Sequence, residues 1–161
     1  MENTLQHLAE QNLDDIEQAK DSGRKAIGFY CLYSPTEIAV AADAIPLPLC
    51  GTRNEPIAAA ENILPRNLCP LIKSSFGFAV TDTCPFFRFS DIIIGDTTCD
   101  GKKKAYETLA SLVDNLYVMD LPQVKSENGR GLLKSEYRRF MAAVENLTGV
   151  TVTADSLRQA I

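Results

Sequence analysis

The chain has 161 residues, a net charge of −5, 45% apolar residues and 23% charged residues. That length suits one domain with its own core, and the composition is that of an ordinary globular protein. The acidic balance disfavours binding to nucleic acid or to an anionic membrane.

The N-terminus, Met1 to Lys20, is polar and carries no apolar signal-peptide core. Leu5, Leu8, Leu13 and Ile16 recur at near-helical spacing, so Thr4 to Lys20 reads as an amphipathic helix that packs on something else, a partner included. Ser22-Gly23 ends it. Ala26 to Cys31 is a short apolar strand. Ser34-Pro35-Thr36-Glu37 then has the form of a capping box opening a helix through Ala42, with Ser34 as the cap and Pro35 in first position. Ile45 to Leu49 is a second strand, and its two prolines argue for an edge or irregular strand.

Pro56 to Ile63 reads as helical. Asn67 is the expected cap of a helix spanning Cys69 to Phe78, with Pro70 harmless in its first turn. Asp91 to Gly95 is the clearest buried strand. Asp100 or Thr98 is expected to cap the next helix, Lys102 to Leu112, and the basic run Lys102 to Lys104 reads as its solvated start. Leu116 to Met119 is a further strand. Lys134 to Leu147 is a long amphipathic helix with Tyr137, Phe140, Met141 and Val144 inward, and Thr153 or Ser156 begins one more.

Strands alternating with helices predict an α/β domain with a mainly parallel sheet flanked by helices. The organisation expected is an N-terminal helix over 1–22, an α/β domain over 23–150, and the opening of a truncated second unit over 151–161. No apolar run approaches the roughly 20 residues of a membrane-spanning helix, so a cytoplasmic protein with no membrane partner is expected.

Five cysteines in a reducing cytosol point to free, catalytic or metal-bound thiols, and an odd number cannot all pair within one chain. The single histidine, His7, reads as an exposed helix residue, which disfavours Ser-His-Asp and Cys-His zinc chemistry. Cys31, Cys50 and Cys99 each lie at or just beyond the carboxyl end of a predicted strand. Functional groups gather at that edge in parallel sheets. The helix around Cys69 can bring a fourth thiol there, and Cys69 and Cys84 each directly precede a proline. No two cysteines make a tight Cys-x-x-Cys, so any site is assembled by the fold. Soft thiolates without histidine select an iron–sulfur cluster, zinc or copper(I). Five thiols exceed the four of a zinc site and favour a cluster. Buried structural cysteines, acting as small apolar residues, are the plain alternative.

Asn67-Leu68-Cys69-Pro70-Leu71-Ile72-Lys73-Ser74 and Asp96-Thr97-Thr98-Cys99-Asp100-Gly101-Lys102-Lys103-Lys104 resemble the signature of the 2-hydroxyacyl-CoA dehydratase family. So does Gly28-Phe29-Tyr30-Cys31 with Pro35-Thr36-Glu37 and the Ala-rich helix beyond it. The resemblance covers roughly Lys25 to Pro122. It implies Rossmann-like α/β domains and iron–sulfur enzymes related to benzoyl-CoA reductase. In the dehydratases it implies a [4Fe-4S] cluster on three cysteines per subunit. Cys69 and Cys99 match the first two. The third lies in the C-terminal half of family members, and this chain has no cysteine after Cys99.

Cys31, Cys50 and Cys84 exceed what one cubane requires, which looks closer to the double-cubane branch. That resemblance implies low-potential one-electron reduction of a small molecule, with electrons from an ATP-dependent iron–sulfur activator. It also implies a homo- or heterodimer with a related subunit. Lys73, Ser74 and Ser75, about one turn beyond Cys69, could donate to sulfides or substrate. The alternatives are a [4Fe-4S] subunit of an (R)-2-hydroxyacyl-CoA dehydratase, which expels the 2-hydroxyl through a ketyl radical, and a non-catalytic truncated remnant holding no cluster.

Overall fold

A computed structural model of the protein describes residues 2–30, 33–49 and 51–161. Helix α1 (Glu2–Asp21) ends at Gly23, whose φ of +96° turns the chain into strand β1 (Ala26–Phe29). Helix α2 (Thr36–Ala41) returns the chain to strand β2 (Ile45–Pro48). Three helices follow in one long crossover: α3 (Ile57–Ala60), α4 (Pro70–Thr81) and α5 (Pro85–Phe89). Strand β3 (Ile92–Asp96), helix α6 (Asp100–Leu109) and strand β4 (Leu116–Met119) complete the sheet, and α7 (Glu127–Thr148) and α8 (Ala154–Ala160) close the chain.

The four strands are all parallel in the order β2-β1-β3-β4, with Ile27 opposite Ile92 and Ile94 opposite Tyr117. This is the α/β fold the alternating pattern predicts. β2 lies at the edge, where Pro46 and Pro48 cost the fewest ladder bonds. The period of two sorts the strands' side chains between two helical layers. Ile27, Phe29, Ile94 and Met119 pack with α2 and α7 through Ile38, Ala39, Phe140 and Val144. Tyr30, Leu116 and Val118 pack with α3, α4 and α6 through Ala60, Ile72, Phe76, Tyr106 and Leu109. Val152 and Leu157 also pack onto the first layer, so α8 rests on the domain core.

Several local expectations are corrected. Ser34 does not form a capping box: Pro35 is the N-cap of α2 and no side chain caps it, while the buried Ser34 hydroxyl has no hydrogen-bond partner among the described residues. Asn67 is not the cap of α4, nor Thr98 or Asp100 of α6; Cys69 and Cys99 hold those positions. α7 begins two turns earlier than its apolar pattern predicts, because Ser126 accepts a hydrogen bond from the Gly129 amide and starts the helix ahead of its two glycines. Tyr137 is 36% exposed, and the inward position beside it belongs to Glu136, whose carboxylate accepts from the Asp120 amide at 3.1 Å. α5 has no counterpart among the predicted elements.

Candidate functional site

The strand order fixes where a site can form. From β1 the chain moves outward to β2, then crosses back to β3 on the other side of β1. The crevice beyond the carboxyl ends of β1 and β3 is the switch point at which open parallel sheets place ligands. Tyr30 leaves β1 there, its amide donating to the Ile94 carbonyl at 3.0 Å, and Asp96-Thr97-Thr98-Cys99 leaves β3.

The three described cysteines share one backbone role. Cys69, Cys84 and Cys99 are the N-caps of α4, α5 and α6. Each carbonyl accepts an early helical bond, from Lys73, Arg88 and Lys103 respectively. None of the three side chains makes a capping hydrogen bond, and all three thiols are free. Cys69 and Cys99 are exposed and Cys84 is half-buried. Proline at the next position suits this geometry, since the missing N–H is one the first turn would leave unpaired. The signal was therefore present in Cys69-Pro70 and Cys84-Pro85.

α4 and α6 start side by side, with Gly101 at the point of approach. A Cβ there would lie 2.9 Å from Leu68 Cδ1 and 3.0 Å from Ile72 Cδ1. Gly51 also comes close to α4, where a Cβ would lie 2.5 Å from the Leu71 carbonyl oxygen. The helix starts bearing Cys69 and Cys99 are thus neighbours at the sheet's carboxyl edge.

Two buried groups stand behind them. Asp96 is fully buried; its Oδ1 accepts from Thr98 Oγ1 at 2.8 Å and faces Lys102 Nζ at 3.7 Å. Its Oδ2 has no hydrogen-bond partner among the described residues. The Tyr30 hydroxyl is likewise buried without a partner among them. Burial, and then the neighbouring Tyr106 and Cys84, push the Tyr30 pKa well above the usual phenol value, so it stays protonated. Tyr30, Leu71, Ile72, Phe76, Lys102 and Tyr106 line a cavity of about 70 Å³ between α4 and α6. That is room for several waters or a small apolar group. The Asp96–Lys102 pair and the Tyr30 hydroxyl were not legible as site features, because only the tertiary fold desolvates them together.

Lys73 and Ser74 point into protein contacts. Lys73 Nζ donates to Glu61 Oε1 at 2.6 Å and to the Arg66 carbonyl at 2.8 Å. That hydrogen bond, more than any other influence, holds the Glu61 carboxyl below its usual pKa. Ser74 Oγ donates to the Arg53 carbonyl, and Ser75 Oγ to that of Leu71 at 3.0 Å. Together Lys73 and Ser74 clamp segment 53–66 onto α4. Cys31 and Cys50 lie outside the described residues. Among the described residues, no three His, Cys, Asp or Glu side chains converge in a way that could hold a metal ion. No helix among them is long and apolar enough to cross a membrane.

A parallel α/β sheet with cysteines at helix N-caps beside its switch point defines a class of protein that presents free thiols from loop–helix junctions. The sequence comparisons narrow that class. Residues 31–161 match the family described as "2-hydroxyglutaryl-CoA dehydratase, D-component", and the chain belongs to that family. It is 50% identical over 143 residues to YjiM of Escherichia coli (strain K12), provisionally named a dehydratase subunit. It is 28% identical over 149 residues to the (R)-phenyllactyl-CoA dehydratase beta subunit of Clostridium sporogenes. These alignments take in 88% and 91% of this chain but 37% and 39% of those relatives, so the chain spans about two-fifths of their length.

Proposed function

We propose that this chain is the thiolate-bearing portion of a low-potential iron–sulfur protein of the dehydratase family, of the double-cubane type. The observation that carries this reading is the pairing of Cys69 and Cys99 on neighbouring helix starts at the carboxyl edge, exposed and free of capping bonds. The donor set fits such a group in kind: soft sulfur ligands with no histidine beside them. In number, Cys69 and Cys99 need further ligands, for which Cys31 and Cys50 are the first candidates and Cys84 the next. The cluster-binding domain on this reading is 23–150.

Bound there, the group supplies single electrons at low potential. The chain's own residues set its surroundings. Tyr30, kept protonated by burial, offers an O–H donor at the edge of the cavity. Asp96 holds Lys102 at the cavity wall, where the ammonium can face an acceptor oxygen of a small substrate. Leu71, Ile72 and Phe76 give that space an apolar wall. An ATP-dependent activator as electron donor and a related subunit as partner belong to the same proposal.

A second reading keeps the family and makes the substrate a 2-hydroxyacyl thioester, as in the named activity of the Clostridium sporogenes relative. The apolar cavity favours it. Iron and acid-labile sulfide per chain, with a visible spectrum after anaerobic purification, test the first reading. About eight iron with matching sulfide supports the double cubane, and about four supports a single cubane. A colourless protein that resists reconstitution sinks both and leaves a remnant without a cluster. Saturable binding of an acyl-CoA separates the second reading from the first.

A further inference from the structure

The cavity between α4 and α6 has two unlike ends. Ile72, Phe76 and Leu109 are buried and form its inner end. Leu71 and Lys102 stand at its outer end, beside the helix starts that carry Cys69 and Cys99. From Lys102 to Leu109 is about 10 Å along α6.

Among the described residues lining this cavity, Lys102 alone is charged. Its side chain is only 16% exposed, and its ammonium makes no hydrogen bond among the described residues. The paired Asp96 oxygen is 3.7 Å away, beyond hydrogen-bond reach. Ammonium donors held against an apolar wall with no acceptor call for an acceptor oxygen from outside. The Tyr30 hydroxyl, also without a partner among the described residues, adds a donor at the same edge. Ser75 Oγ is already spent on the Leu71 carbonyl.

Charge decides which kind of oxygen. Asp96 is fully buried and already balances Lys102. A carboxylate ligand would bring a second anion to one ammonium, where an unbalanced charge is costly. An uncharged carbonyl accepts the same hydrogen bonds without that cost. Volume decides the rest. A cavity of about 70 Å³ holds roughly five to seven water-sized groups, which is room for a carbonyl with a short aliphatic tail and too little for a phenyl ring as well.

We infer that this cavity selects an uncharged carbonyl compound with a short aliphatic tail. The carbonyl oxygen accepts from Lys102 at the outer end. The tail ends against Phe76 and Leu109, which set its length. The inference rests on the reading that this cavity receives the substrate, and it adds the charge and size of what is accepted.

Methyl propanoate and butanoate test it, because they have the same heavy atoms and differ in charge. Each is titrated into the full chain under reducing conditions, with binding read from the amide chemical shifts of Ile72, Ala105 and Leu109. The ester should bind about tenfold or more tighter than butanoate, and about tenfold or more tighter than methyl 3-phenylpropanoate. Lys102→Met keeps the aliphatic stem and removes the donor, so ester binding should fall about tenfold. Xenon, which reads only the apolar space, should still enter that variant. Asp96→Asn removes the balancing anion, so butanoate should gain about tenfold on the ester. Xenon uptake and a circular dichroism melt confirm that each variant keeps its cavity and fold, and the three wild-type titrations stand even where a variant unfolds. A wild-type chain that does not bind the ester overturns the inference. So does butanoate or the phenyl ester binding as tightly, or ester binding that ignores Lys102→Met in a folded variant. Neither iron nor turnover enters the readout. A colourless protein that binds the ester keeps this inference while the cluster reading fails, and an iron-loaded protein that ignores the ester does the reverse.

Discussion

On one face of the sheet, Phe140 is fully buried, with its ring 6.1 Å from that of Phe29 and 5.8 Å from that of Tyr117. On the other face, Phe76 is almost as deeply buried but borders a cavity, and the helices there approach on glycines. The first layer is filled by side chains from α2, α7 and three strands, and none of its described residues carries a thiol. The second brings α4 and α6 together through Gly101 and sets a cysteine at the start of each. The ring-filled packing and the helix starts that carry Cys69 and Cys99 therefore lie on opposite layers of one sheet. The close helix approach that builds the thiol edge also leaves space behind it.

The largest effect that tests this contrast is Phe140→Ala. Removing a fully enclosed ring should cost about 3–5 kcal/mol in urea unfolding. Phe76→Ala should cost less, because it enlarges a space that already exists. An equal cost would remove the distinction between the layers. Gly77→Ala comes next: its Cβ would lie 2.1 Å from the Pro56 carbonyl oxygen, a backbone atom that cannot rotate away. A loss of about 1–3 kcal/mol is expected, with α3 forced off α4.

Glu61→Gln sharpens the contrast through pH. The Glu61 carboxyl is held below its usual pKa, chiefly by the Lys73 hydrogen bond. Its contribution is thus present above the ordinary glutamate pKa and is lost as pH falls through the lowered folded value. The melting temperature of the wild type should exceed that of Glu61→Gln at neutral pH, and the gap should close only in acid below the usual carboxylate range. A gap that does not change with pH would mean that the pair is not what holds segment 53–66 to α4.

The smallest effect on folding belongs to the thiols. Cys69→Ala and Cys99→Ala remove exposed side chains with no capping bond, so stability should stay within about 0.5 kcal/mol of wild type. Iron bound under anaerobic reconstitution should nonetheless fall by half or more. Unchanged iron in both variants would separate these thiols from any cluster.

Much of this was legible in the chain itself. Alternating apolar strands and amphipathic helices dictate a parallel α/β sheet, because each element must bury one face and the helices supply the crossovers. Pro46 and Pro48 mark β2 as an edge, since they lack amide donors. The places of Cys69 and Cys84 directly before prolines were readable too, as was the family signature around Cys69 and Cys99. Caps and boundaries were less so: Asn67 and Ser34 have the right chemistry for caps, but the backbone enters α4 two residues, and α2 one residue, later than they require.

Only the tertiary structure decided the rest. Lys73 and Ser74 lie one turn beyond Cys69 in sequence, yet helical rotation turns them toward Glu61, Arg66 and Arg53. Tyr30, Asp96 and Lys102 look ordinary in the sequence, and they become distinctive when β1, β3 and α6 remove water from them together. Local pattern determined which residues form strands and helices, because period and backbone preference act over a few residues. Desolvation and close approach depend on segments distant in the chain, so no local pattern could announce them.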